Sequence, residues 1–170
     1  MQDLFFNCIM ADTYDKIQIY QTKKGINKMS ETIKNLIQER VYAYYHELGL
    51  NCARVSLDAL CDIFDVELCD QVKDATIGLH GAGGHRDQCG LVEGPLMFIG
   101  IYFTQKNVPK ETIIKYCYDF AVSFINEFGS LLCFTLRPQG FSADQPPAMC
   151  GDLTCRTIWH SYNFIKNIDK

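Results

Sequence analysis

PKETIIKYCYDFAVSFINEFG, residues 109–129, is the stretch that decides the fold class. Pro109 suits a first helical turn, because its missing N–H has no partner there anyway, and Glu111 complements the positive end of the helix dipole. Ile113, Cys117, Phe120, Ala121, Phe124, Ile125 and Phe128 then recur at steps of three and four, which lays one apolar stripe along a helix. Gly129 supplies the stop.

The same period extends outward. Ser30 caps a run in which Ile33, Leu36, Ile37, Val41, Tyr44, Tyr45 and Leu48 keep helical spacing until Gly49. Asn51 caps a second run carrying Val55, Leu57, Leu60, Ile63 and Phe64, and a shorter segment covers Asp70 to Leu79. The glycine-rich stretch from His80 to Gly84 breaks regularity. An apolar stretch follows Cys89 to Phe103, residues 138–147 read as a loop, and a last helix starts at Asp152 or Thr154 and runs through Trp159, Tyr162 and Ile165. Sustained period-two alternation is missing. The pattern therefore predicts an all-α fold, a single bundle of about five to seven helices with a glycine-rich loop before the central cysteines.

Residues 1–29 look different, with short apolar clusters followed by Lys23, Lys24, Gly25 and Lys28. They read as an N-terminal extension, and residues 30–170 as the helical cysteine-bearing domain. Apolar residues make up 48% of the 170 and charged residues 21%, ordinary globular usage. A net charge of -4 without a basic stripe argues against nucleic acid. The apolar run from Gly94 to Phe103 is too short to span a bilayer. The start, Met1-Gln2-Asp3-Leu4, lacks the basic and apolar blocks of a secretory signal, so a cytoplasmic location is expected.

Nine cysteines are the chemical signal. An odd number in a reducing compartment argues against a closed set of structural disulfides. With the Cys-x-x-Cys spacing missing, any site has to be gathered from distant segments by the fold. Cys61 and Cys117 fall in apolar stripes and read as small buried hydrophobes; Cys8 and Cys69 lie near polar segment ends. Cys52 and Cys89 stand beside helix starts, where unpaired N–H groups favour thiolate, and are the candidate catalytic residues. Cys133 lies just beyond Gly129. Cys150 and Cys155 compete for one role, and Cys155 is preferred because it lies at the predicted start of the last helix.

The loop residues His80, His85 and Arg86 are further candidates: His85 or Arg86 lowers the pKa of a neighbouring thiolate, and either histidine, His85 first, completes a metal site. His46 and His160 read as surface or interface residues, and Glu47, Asp58 and Glu93 as solvated ones.

Asn51-Cys52-Ala53, then Gly81-Ala82-Gly83-Gly84 leading to Cys89-Gly90 and Gly94, then Phe128-Gly129-Ser130 with Cys133, then a late cysteine, resemble the C-GCAxxG-C-C family of redox-active proteins. The likeness covers about residue 30 to the last helix. It implies a mostly helical redox or metal-cluster protein whose four characteristic cysteines map to Cys52, Cys89, Cys133 and Cys155. Leu91 departs from the family's alanine. Pro95 departs from a small helix former and predicts a helix that begins at Gly94-Pro95, with Cys89 in the loop before it.

Three functions compete on this reading. In the first, Cys52, Cys89, Cys133 and Cys155 hold an iron–sulfur cluster or another thiophilic metal such as zinc, with His85 as a further ligand, in electron transfer to a redox partner protein. In the second, two of the four cycle as a metal-free thiol–disulfide couple. In the third, the chain is a non-catalytic metal-binding or interaction module, with Tyr42, Tyr44 and Tyr45 on a partner surface and an oligomer allowed.

Overall fold

The computed structural model describes residues 28–137 and 150–169. The expected extension, all but its last two residues, the expected loop over 138–147 and Cys8 lie outside those residues. The chain divides into two compact units, Met1–Leu36 and Ile37–Lys170. The described part of the first is helical, and the second begins within the same helix, α1 (28–46). The fold is all-α: α2 (Cys52–Phe64), α3 (Asp70–Ala75) with a 3-10 turn (Thr76–Gly78), a short glycine turn α4 (Gly81–Gly84), α5 (Gly90–Gln105), α6 (Lys110–Phe128), α7 (Cys133–Leu136) and α8 (Gly151–Ile168). No helix among the described residues is long and apolar enough to cross a membrane.

The pairing of α2 with α5 sets the frame. Gly90 and Gly94 lie one turn apart on the α5 face that meets α2. A Cβ on Gly90 would come 2.5 Å from Cys52 Sγ, 2.7 Å from the Leu79 carbonyl and 2.8 Å from the Ala53 nitrogen. A Cβ on Gly94 would collide with Ser56 Oγ and the Ala53 carbonyl. Only glycine lets the two backbones come this close. Ser56 Oγ donates to the Cys52 carbonyl at 2.9 Å, so its burial leaves no polar atom stranded. Val55, Leu57 and Leu60 from α2 and Leu91, Val92, Phe98 and Ile99 from α5 are fully buried around this contact.

That contact explains where the Pro95 expectation fails. The helix begins at Gly90, with Cys89 as its cap and Pro95 inside. An interior proline costs about 3 kcal/mol of helix propensity. Packing the first turn, with Leu91, Val92 and Pro95 buried against α2, outweighs it.

Aromatic rings fill much of the remaining core. Phe64 packs on Phe98, Tyr102 and Tyr162, while Phe120 meets Phe124 and Phe164. Helix α6 has the expected bounds, closed by Gly129 in the left-handed region. Its stripe is narrower than expected, since Ile125 is 43% exposed. His160 is half-buried: Nε2 lies 3.0 Å from Ser123 Oγ, the ring packs on Phe120, Phe124 and Phe128, and burial lowers its pKa. Tyr45 is buried and its hydroxyl lies 2.9 Å from Thr154 Oγ1, whereas Tyr42 is exposed. Two carboxylates depart from their solvated reading. Asp58 pairs with Arg54 at 2.6 Å, and Glu93 carries a buried oxygen without a hydrogen bond, so desolvation raises it to about 7.

Candidate functional site: a cluster of helix-start cysteines

The cysteines gathered at one end of the bundle share a rule. Each sits at the first turn of a helix. Asn51 caps α2 by accepting from the Arg54 N–H at 3.0 Å, while its Nδ2 donates to the Thr76 carbonyl at 2.8 Å. Cys52 is thereby fixed as the first helical residue. Cys89 caps α5, Cys133 opens α7, and Cys150 caps α8.

Main-chain pairing brings two of them side by side. The Cys89 N–H donates to the Leu131 carbonyl at 2.9 Å, the Cys133 N–H to the Asp87 carbonyl at 2.7 Å, and the Phe134 N–H to the Arg86 carbonyl at 3.0 Å. An antiparallel bridge joins Gln88 and Leu132 within this clamp. The glycine turn closes over it. Gly81, Ala82, Gly83, Gly84 and Arg86 all have positive φ. A Cβ on Gly81 would press on the Arg86 Cα at 3.3 Å and meet the Cys133 Cβ at 3.5 Å. The Arg86 N–H donates to the Gly81 carbonyl at 2.8 Å, its guanidinium donates to the Arg137 carbonyl at 3.3 Å, and it lies over the Phe134 ring at 4.6 Å. The charges of Arg86 and Arg137 both act on Cys133.

Inside the clamp the Cys89 and Cys133 thiols influence each other's titration, with the proton favoured on Cys89. The neighbouring Cys89 thiol is the largest cause of a lowered Cys133 pKa; partial burial opposes it, and the charges of Arg86, Arg137 and His80 add to it. Cys89 is correspondingly held protonated, by its interaction with Cys133 first and then by burial and the Cys52 charge. Burial pushes Cys52 up to about 12, with Cys150 and then Cys133 as further raising charges. Cys150 is raised by burial and relieved by Arg137.

At Cys52 and Cys89 the expected pull of the helix start toward thiolate is opposed by their surroundings, which raise both thiols. A helix N-terminus is worth about 0.3–1 kcal/mol, rising to about 2 when partly buried, whereas desolvation moves a buried group by several pKa units. Burial wins at Cys52; at Cys89 the neighbouring Cys133 acts first and burial second. At Cys133 the Cys89 thiol and the charges of Arg86 and Arg137 reverse the balance.

The other sequence candidates fall elsewhere. Helix α8 starts earlier than expected, so Cys150 is its cap and Cys155 lies in its second turn, about 140° further around the helix. Burial and Asp152 raise Cys155. His85 is on the outside, its ring 81% exposed and 3.0 Å from Asp87. His80 Nδ1 lies 2.9 Å from the Ile77 carbonyl, and its charge acts on Cys133. Cys61 is buried as expected and Cys69 is exposed. Sequence reasoning missed Arg137, whose signal was its place four residues after Cys133. Among the described residues, no group of three or more His, Cys, Asp or Glu side chains stands close enough to hold a metal ion.

Residues 50–162 match the family model described as "Putative redox-active protein (C_GCAxxG_C_C)". No curated protein and no solved structure matches the chain. The matched segment runs from the cap of α2 into α8 and contains every cysteine of the cluster; the chain belongs to the C_GCAxxG_C_C family of redox-active proteins.

Proposed function

We propose that the chain is a thiol–disulfide redox protein in which Cys133 attacks and Cys89 resolves. The observation that carries this reading is the main-chain clamp that brings Cys89 and Cys133 side by side, with the charges of Arg86 and Arg137 favouring thiolate at Cys133. Nucleophilic attack on a disulfide needs thiolate, and resolution needs a second sulfur within reach. The Cys133 thiolate attacks one sulfur of a substrate disulfide and forms a mixed disulfide, expelling the other sulfur as thiolate. Cys89 then loses its proton and attacks Cys133, forming Cys89–Cys133 and releasing the substrate as a dithiol. Two electrons pass from protein to substrate. The reverse direction oxidises a dithiol partner.

Cys89, 5% exposed, stays protected until Cys133 has reacted. A reducing compartment such as the cytoplasm suits this site, because it keeps both sulfurs available as thiols. Mild oxidation followed by peptide mapping should give one preferred linkage, Cys89–Cys133. In Cys89→Ser the mixed disulfide with substrate should accumulate on Cys133. Random pairing, or none, would contradict the reading.

A second reading is favoured by the gathering of Cys52, Cys89, Cys133 and Cys150 at the helix starts of one end of the bundle. Soft thiolates suit an iron–sulfur cluster, zinc or copper(I), and these four residues would hold it; an iron–sulfur group would supply one-electron transfer to a redox partner protein. The donor chemistry fits, but the described side chains do not stand as a set of three, so this reading ranks second. Protein prepared without oxygen decides between them. Stoichiometric iron with acid-labile sulfide supports the cluster, and colourless metal-free protein with an oxidisable Cys89–Cys133 pair supports the couple.

A further inference from the structure

The two residues that flank Cys133 in the chain are apolar, and both face solvent. Leu132 is 46% exposed and Phe134 63%. Leu132 caps α7 in an extended conformation, and Phe134 is the second residue of the turn that Cys133 opens. Their neighbours hold this surface in shape. The Arg86 guanidinium lies over the Phe134 ring at 4.6 Å and donates to the Arg137 carbonyl at 3.3 Å. The Phe134 N–H donates to the Arg86 carbonyl at 3.0 Å, so both the ring and the main chain of Phe134 are tied to one residue. An exposed ring held in this way loses little conformational freedom on binding. Aromatic residues and arginine are enriched where proteins meet, and a few anchors of this kind carry most of the binding free energy.

Charge selects the partner. No salt bridge among the described residues involves Arg86. Asp87, its neighbour in the chain, is engaged by the His85 ring at 3.0 Å. Across residues 130–137 the one charged residue is Arg137. The surface at Cys133 is therefore locally cationic on a chain whose net charge is -4.

We propose that the substrate is a protein disulfide in an extended segment, with apolar residues next to its cysteine and acidic residues beyond them. The proposal rests on the Cys89–Cys133 couple. An extended segment rises about 3.3 Å per residue, so the residues on both sides of its cysteine lie across the two that flank Cys133. Its apolar neighbours cover Leu132 and Phe134, and a carboxylate meets Arg86. A small hydrophilic disulfide leaves both apolar side chains in water. The redox step is that of the couple: Cys133 bonds one half of the substrate, the other half leaves as thiolate, Cys89 closes on Cys133, and two electrons reduce the substrate to two thiols.

The test gives the reduced whole chain three disulfide probes: oxidised glutathione and the disulfide-linked dimers of two five-residue peptides. Both peptides carry a central cysteine between leucine and phenylalanine; one ends in aspartates, the other in lysines. Each rate is divided by that of the same probe with dithiothreitol, which removes its intrinsic reactivity. The aspartate peptide should be reduced about tenfold faster than either other probe at low salt, and its lead over the lysine peptide should shrink with added salt. In Phe134→Ser the ratio of the aspartate-peptide rate to the glutathione rate should fall about tenfold. Leu132→Ser should lower the same ratio, which keeps the test open if one variant folds poorly. The ratio is decisive because a change that merely perturbs the Cys133 sulfur slows both probes alike. In Arg86→Gln the preference for aspartate over lysine should vanish. Equal rates for the three probes, a faster glutathione rate, or ratios unmoved in both serine variants would overturn the docking surface and leave the couple standing. If no probe is reduced and no Cys89–Cys133 linkage forms, both are overturned.

Discussion

Cys52 and Cys133 occupy the same position of their helices, the first residue inside the turn, and yet have opposite proton affinities. Cys52 opens a long helix pressed against α5, and burial makes its thiolate costly. Cys133 opens a single half-exposed turn clamped next to Cys89, where the Cys89 thiol and the charges of Arg86 and Arg137 favour its thiolate. The lesson is that a helix start does not by itself make a reactive cysteine. Desolvation and the nearest charges decide, and the dipole is the smaller influence.

The contrast can be broken most forcefully from the Cys52 side. Gly90→Ala would drive a methyl group into Cys52 Sγ, the Leu79 carbonyl and the Ala53 nitrogen. Overpacking of this kind costs about 1–3 kcal/mol. Urea unfolding should show that loss, and Cys52 should become open to alkylation in the folded variant. On the Cys133 side, Cys89→Ala removes the neighbouring thiol that most favours the Cys133 thiolate. A rise of about one pKa unit from about 6 cuts the thiolate fraction at pH 6 about fivefold, and the Cys133 alkylation rate should fall by nearly as much. Arg86→Gln leaves Arg137 and Cys89 in place, so a smaller loss of about threefold is expected from the same measurement.

The smallest expected effect concerns Glu93, on the first turns of α5 beyond Cys89. Its folded pKa of about 7 lies above the model-peptide value of 4.5. The folded state therefore binds the proton more tightly than the unfolded one. The stability contributed by the neutral acid is full below about pH 4.5 and lost as pH rises through 7. Glu93→Gln should flatten that decline and raise Tm at pH 8 by about 2 °C, read by calorimetry. A Tm difference that grows toward low pH would contradict the assignment.

The parts of this architecture legible in the sequence are those written locally. Pro109, Glu111 and Gly129 set both ends of α6, and Asn51 set the start of α2, because a cap acts through neighbouring residues. The start of α5 was not legible, since the force that keeps Pro95 in a helix is the approach of α2 over Gly90 and Gly94. The start of α8 was misplaced for a related reason. Cys150 becomes a cap because Thr154 reaches back to its carbonyl and across to Tyr45 on another helix. For the site, the sequence pointed to sulfur at helix starts and to Arg86. It offered no way to rank those sulfurs, because the ranking depends on burial and on Arg137 and Cys89 arriving from different segments.

The most direct test of the central claim is the pH dependence of alkylation, followed at each cysteine of the reduced protein by peptide mapping. The account expects Cys133 to react first and to keep reacting at pH values where Cys52, Cys89 and Cys150 are silent. An ordinary thiol profile at Cys133, or Cys52 modified ahead of it, would contradict the account.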